Sequence, residues 1–251
     1  MDWKKILLAA GGAAGTAAVL YYLLREDGAK SVSVAEEKEE GTELKNGKVN
    51  VEQITKEQVR QVLQEIIQSQ EHMKTYMKSL TKELLAKELT FEQTYQRVKD
   101  MQPKDPLESY GLTMGDFDQL LDTHQSDPFV RESIARIMGA PSPNSTASAK
   151  VQSIAVKTIL DVHQFMLGEL EGLVTYFNNL PNKSSFDMKT VTIAAQAIVG
   201  SRVEGKFGIT SDDIESAVLM YHTVLATDQE FANVNVKIQG AMTRLMGNSF
   251  Q

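Results

Sequence analysis

Two stretches of this chain repeat one another, and the repetition restricts the fold more than any other feature. Tyr110-Gly111-Leu112-Thr113 with Asp116 aligns without a gap on Phe207-Gly208-Ile209-Thr210 with Asp213. The separation from Leu63 to Gly111 equals that from Leu160 to Gly208. ARIMG, ending at Gly139, is answered by TRLMG, ending at Gly247. Matched motifs at a matched spacing point to two copies of one supersecondary unit. The motif residues have a local task. An aromatic residue and Gly111 or Gly208 close one helix with a left-handed turn, and an aliphatic residue packs across it. Thr113 or Thr210 then caps the next helix, with Asp116 or Asp213 in its first turn. These are structural signatures and carry no chemistry. The second copy is the longer one, with an extra stretch around Leu225 to Asn235.

From Val51 onward the signals are helical. No proline precedes Pro103, and all six prolines fall in breaks rich in Pro, Gly, Ser and Asn. Thr55 with Gln58 and Thr90 with Gln93 read as capping boxes, and Thr113 with Asp116 opens a third helix. Asp127-Pro128 reads as an N-cap followed by proline at the first helical position, in a helix that ends at Gly139. Val59, Leu63, Ile66, Met73, Met77, Leu80 and Leu84 form a heptad, coiled-coil-like seam with Gln70 in its middle. That seam is the candidate interaction surface. The pattern nevertheless favours its burial against a sister helix, Val151 to Phe177, whose stripe is Ala155, Ile159, Val162, Met166, Leu170, Leu173 and Phe177. With 42 % apolar residues the chain can bury such cores. The fold class expected is all-α: two similar four-helix units, 51–140 and 149–247, joined by APSPNSTAS (Ala140 to Ser148).

Ahead of this body, Ile6 to Leu24 carries no charge over about 19 residues, which as a helix reach about 28 Å, close to a hydrocarbon core. Trp3 stands at one end and Tyr21 and Tyr22 at the other, where amphipathic rings prefer the interface. A cleaved signal peptide has an apolar core of about 7–15 residues followed closely by a small-x-small site. Here the run is longer, Arg25-Glu26-Asp27 follow it, and Ser33-Val34-Ala35 comes too late. Residues 1–27 are therefore expected to be a retained single-pass signal-anchor built on Ile6, Leu7, Leu8, Leu20, Tyr21, Tyr22, Leu23 and Leu24. Gly11 and Gly15, at G-x-x-x-G spacing, either fill a short anchor or let a second helix approach closely. The segment resembles in kind the short, Ala/Gly-rich, Tyr-ended anchors of mitochondrial membrane proteins. A mitochondrial membrane is the favoured location, with the endoplasmic reticulum or another secretory membrane as the alternative. Lys4 and Lys5 precede the helix and acidic residues follow it, so the positive-inside rule sends the body across the membrane. The short N-terminal tail leaves the reverse topology open. Residues 28–50, acidic and without apolar periodicity, read as a flexible linker.

The chemistry-bearing patterns are weak. A net charge of −7 argues against a nucleic-acid partner, which needs a basic face. The absence of cysteine excludes disulfides, a thiolate nucleophile and Cys-based metal sites. The G-[LI]-T-x-x-D motif resembles the rear half of an EF-hand loop. Counting back puts Arg202, Glu204 and Lys206 at the ligand positions and Phe207 where glycine is needed, while the first copy has Gln102, Lys104 and Pro106. A degenerate EF-hand-like regulatory protein that does not bind calcium is thus a remote alternative. His72, His124, His163 and His222 show no ligand spacing, and no nucleophile elbow, P-loop or dinucleotide fingerprint occurs. No catalytic, cofactor or metal residue is expected. Methionine is plentiful, at Met73, Met77, Met101, Met114, Met138, Met166, Met188, Met220, Met242 and Met246, and adaptable Met-lined grooves accept varied helices. The leading expectation is a membrane-tethered, non-enzymatic adaptor, scaffold or assembly subunit acting through protein partners or as a homo-oligomer. The main alternative is a helical carrier or chaperone-like module for a lipid or an apolar segment.

Overall fold

The computed structural model describes residues 53–137 and 148–246, and all regular structure among them is helical. The expected anchor (1–27) and linker (28–50) lie outside the described residues, as do Gly139, Gly247 and most of the APSPNSTAS connection. No helix among the described residues is long and apolar enough to cross a membrane.

The helices of the first segment begin where the sequence supplies caps. α1 (Lys56–Ala86) follows Thr55, whose hydroxyl accepts from the Gln58 amide at 3.3 Å while Gln58 Oε1 accepts from the Thr55 amide at 2.8 Å. α2 (Phe91–Met101) starts with the same reciprocal pair, Thr90 and Gln93. α3 (Pro106–Ser109) starts on Asp105, and α4 (Met114–His124) on the Thr113–Asp116 box. α5 (Pro128–Ile137) starts on Asp127, whose Oδ1 accepts from the Phe129 and Val130 amides. Each cap satisfies amides that the helix itself leaves without a partner.

The second segment holds α6 (Ala149–Gln152), α7 (Val156–Asn178), a 3₁₀ turn (Lys183–Ser185), α8 (Met188–Phe207), α9 (Ser211–Met220), α10 (His222–Leu225) and α11 (Gln229–Leu245). The shift along the chain that lays Gly111 on Gly208 also lays the start of α2 on the start of α8, and the start of α4 on the start of α9. α8 alone covers what α2 and α3 cover together. The first segment breaks this helix with Pro103 and Pro106, where the second has Gly200 and Val203. Proline removes an amide donor and its ring clashes with the preceding turn, so the helix stops and restarts. The expected helix from Val151 to Phe177 is likewise two helices. Ala155 is extended (φ −75°, ψ 153°), and the Ser153 amide closes α6 by bonding back to Ala149 and Lys150.

The described residues form two compact units, 53–72 with 103–137, and 73–102 with 148–246. This division differs from the one at the APSPNSTAS connection, since α1 contributes its first half to the smaller unit and its second half to the larger. In the smaller unit Val59, Val62, Leu63 and Ile66 of α1 meet Leu107, Leu112, Phe117, Leu120, Leu121 and Val130 in one core. The buried stripe is wider than a heptad seam, because Val62 and Ile67 also face inward, as on a helix covered by a globular core. Fully burying each such aliphatic side chain contributes about 1.5–3 kcal/mol.

The larger unit has a core of the same design: Val151, Ile154, Ile159, Ile209, Ala217, Val218, Leu225 and Phe231. Ile54, Val62, Leu112, Leu120 and Leu121 of the smaller unit match Val151, Ile159, Ile209, Ala217 and Val218 at the one shift. Elsewhere in this unit α7 packs along α11 and α8, and α8 packs on α2. Phe91 lies 5.8 Å from Phe177 and 6.2 Å from Phe186, and Tyr95 meets Phe186 edge-on at 4.8 Å. The Asp187 amide donates to Tyr95 Oη at 2.9 Å, and Asp187 in turn caps α8. Residues 91–102 of the first segment are thereby packed on the second.

Candidate functional site

The two repeated motifs adopt one geometry. Gly111 (φ 65°) and Gly208 (φ 66°) both take the left-handed turn, a conformation that costs a residue with a Cβ about 1–2 kcal/mol. At the first motif the Asp116 amide donates to Thr113 Oγ1 at 3.2 Å, and the Thr113 amide donates back to Asp116 Oδ2 at 2.9 Å. At the second the same bonds join Asp213 to Thr210 at 3.2 Å and Thr210 to Asp213 at 3.1 Å. Both sets are occupied by folding tasks.

The second motif adds charge that the first lacks. Asp212, where the first motif has Gly115, accepts from Lys74 at 2.8 Å and Lys78 at 2.5 Å. Asp213 accepts from Lys150 at 2.6 Å. Partial burial pushes the Asp212 carboxyl up, but the hydrogen bonds and charges of Lys74 and Lys78 outweigh it and hold the group below its ordinary range. Asp213 behaves alike: burial raises it, and Lys150 and Thr210 bring it lower. The lysines are 54 %, 57 % and 50 % exposed, so water screens the pairs. Their effect is to tie the second half of α1 and the start of α6 to the first turn of α9.

The smaller unit has one buried carboxylate, Asp127, 5 % exposed. The Lys56 ammonium donates to it, as does Arg60 Nη2 at 2.8 Å, and the Arg60 guanidinium lies over the Phe129 ring, 5.5 Å from its centroid. The Lys56 hydrogen bond, then that of Arg60 and the two backbone amides, overcome burial and hold this carboxyl far below the ordinary range. Asp127 thus both caps α5 and clamps the first turn of α1. The cap was legible in Asp127-Pro128; the clamp had no sequence signal, because its partners are far away in the chain.

The candidate seam turns inward. Val59, Leu63 and Ile66 belong to the smaller unit's core, Met73 and Leu80 are buried in the larger unit, and Met77 and Leu84 are half-buried. The methionines are scattered: Met73 is buried, Met101 and Met220 are exposed, Met77, Met114, Met166, Met188, Met242 and Met246 are half-buried, and Met138 lies outside the described residues. The anchor residues Ile6 to Leu24 lie outside them too. Arg202, Glu204 and Lys206, at the EF-hand ligand positions, sit within the continuous helix α8. Arg202 pairs with Glu169, and Lys206 Nζ lies 3.9 Å from the Phe165 ring centroid. That backbone is a helix, where an EF-hand needs an open loop of ligating oxygens. No cluster of three or more His, Asp or Glu able to hold a metal occurs among the described residues.

His163 is the one buried histidine among the described residues, 6 % exposed. Its Nδ1–H donates to Ile159 O at 2.8 Å, and its ring meets Phe231 edge-on at 4.9 Å. The burial of α8 has no sequence signal. Val191, Ile193, Ala194, Ala195, Ala197, Ile198, Val199 and Val203 bury α8 almost all round, which erases the one-sided periodicity that reveals a surface helix.

No protein-family model, curated protein or solved structure matches the chain.

Proposed function

We propose that this chain is a membrane-tethered, non-enzymatic helical adaptor or assembly subunit. Its body, built of two matching helical segments, acts through protein partners or a second copy of the chain. The supporting observation is how the reactive side chains are used. Asp116, Asp127, Asp212 and Asp213 are engaged as caps and clamps, and Glu83 takes a two-pronged contact from Arg97. Of these, Asp127, Asp212, Asp213 and Glu83 are paired with cations that hold them ionised, which makes them poor general acids. The uncharged run from Ile6 to Leu24 supplies the tether, in a mitochondrial membrane by preference and otherwise in a secretory one.

The test is alkaline extraction and protease protection of C-terminally tagged protein in intact organelles, followed by native mass spectrometry of the solubilised material. The expected result is alkali-resistant protein that migrates in a complex heavier than the single chain. Release by alkali overturns the tether. A lone chain carrying stoichiometric lipid overturns the adaptor reading in favour of a carrier.

A further inference from the structure

The shift that matches the two motifs places His163 on Ile66, a core residue of the smaller unit. The second member lies in the stretch by which the second copy is longer, and corresponds only by its place after a helix cap. Val130 is the third residue after the cap Asp127, and Phe231 is the third after the cap Asp228, whose Oδ1 accepts from its amide at 2.8 Å. Where one core holds an isoleucine and a valine, the other holds an imidazole against a phenyl ring.

We propose that His163 and Phe231 form an acid-sensitive latch: with the imidazole neutral, the start of α11 is docked on α7, and with it protonated, that docking is released. The geometry fixes the tautomer of the neutral ring. A carbonyl only accepts, so the contact with Ile159 O places the one ring proton on Nδ1 and leaves Nε2 to take the second. The added charge would be buried beside a phenyl ring, where desolvation is unfavourable. Burial accordingly pushes the imidazole pKa down, further than the Ile159 hydrogen bond raises it.

Several charged groups on the neighbouring elements have other engagements. On α11, Glu230 accepts from Gln164 at 2.5 Å and Asp228 caps the helix. On α8, Arg202 holds Glu169 and Lys206 lies over Phe165; on α9, Asp212 and Asp213 hold lysines; on α7 itself, Asp161 holds Lys157. The sign follows from the lowered pKa: the docked state is favoured above the ordinary imidazole value of about 6.5 and loses that advantage as pH falls below it.

The full chain is compared by hydrogen exchange at pH 7.5 and 5.5, with intrinsic rates corrected, beside His163→Ile, which installs the residue of the matching position. In the wild type, amide protection over Gln229–Leu245 is expected to fall several-fold at the lower pH, while that of α4 and α5 holds. In the variant both pH values are expected to give the same protection. Unchanged wild-type protection, or an equal fall in the variant, overturns the latch. Should the variant not fold, the imidazole C–H titration of wild-type His163 decides, and a midpoint at or above about 6.5 overturns the latch.

Discussion

Where the smaller unit places Phe117, Leu120 and Leu121 in its core, the matching part of the larger unit places Ile214, Ala217 and Val218. Each replacement is smaller. The lost volume is supplied by Leu225 and Phe231, and Leu225 comes from α10, a helix that the first segment does not have. The turns behave differently: Gly111 and Gly208 differ by a single degree in φ, and the Thr–Asp boxes that follow make the same pair of bonds. A core asks only for the right total of apolar volume, which many side-chain sets provide. A left-handed turn followed by a cap asks for particular atoms at particular places. Two segments can therefore drift apart in their interiors while their joints stay alike.

The largest test of this comparison is in the cores. Leu63→Ala, at a position with no exposure, is expected to cost about 2–5 kcal/mol in urea unfolding, whereas Leu160→Ala, at the half-buried matching position, costs less. Equal losses would break the claim that the second core has shifted its volume toward Leu225 and Phe231.

Next in size are the turns. Gly111→Ala and Gly208→Ala should each cost about 1–2 kcal/mol in the same assay. At Gly208 an added Cβ meets nothing within 4 Å, so the cost there is backbone strain alone. A clear inequality between the two would show that the joints are less alike than their angles.

The acid limb separates the two units further. Asp127 has a lowered folded pKa, so its contribution is present above the unfolded carboxylate value of about 3.9 and is lost as pH falls below it. Asp127→Asn keeps an N-cap side chain but loses the charge for Lys56 and Arg60. The variant's melting temperature should be lower than wild type at pH 7, and the gap should narrow steadily as pH falls below about 4. A constant gap would mean that the charge is idle. The smallest effect belongs to the larger unit's exposed pairs: Asp212→Asn should cost under about 1 kcal/mol, and about 1 M salt should largely erase the difference.

The extent to which this was legible follows the range of each interaction. Thr55–Gln58, Thr90–Gln93 and Thr113–Asp116 are bonds across three residues, so their partners can be read side by side in the chain. The seam on α1 was legible because one face of the helix is apolar. Which core each half of that face enters was not, because Leu107 and Phe117 are brought to it only by the turn at Gly111 and the breaks at Pro103 and Pro106. The Asp127 clamp, the Lys74 and Lys78 pairs with Asp212, and the burial of His163 were invisible for the same reason.

By itself the sequence determined that the described body is helical, where most helices start, where the two left-handed turns fall, and that two stretches match, since all of these rest on contacts within a turn or two of helix. The tertiary structure alone decided that residues 73–102 pack with the second segment, that α8 is covered nearly all round, and that an imidazole occupies a place its counterpart fills with isoleucine. Those outcomes depend on apolar area removed from water between distant segments, a non-directional force whose partners are chosen by the total packing of the unit.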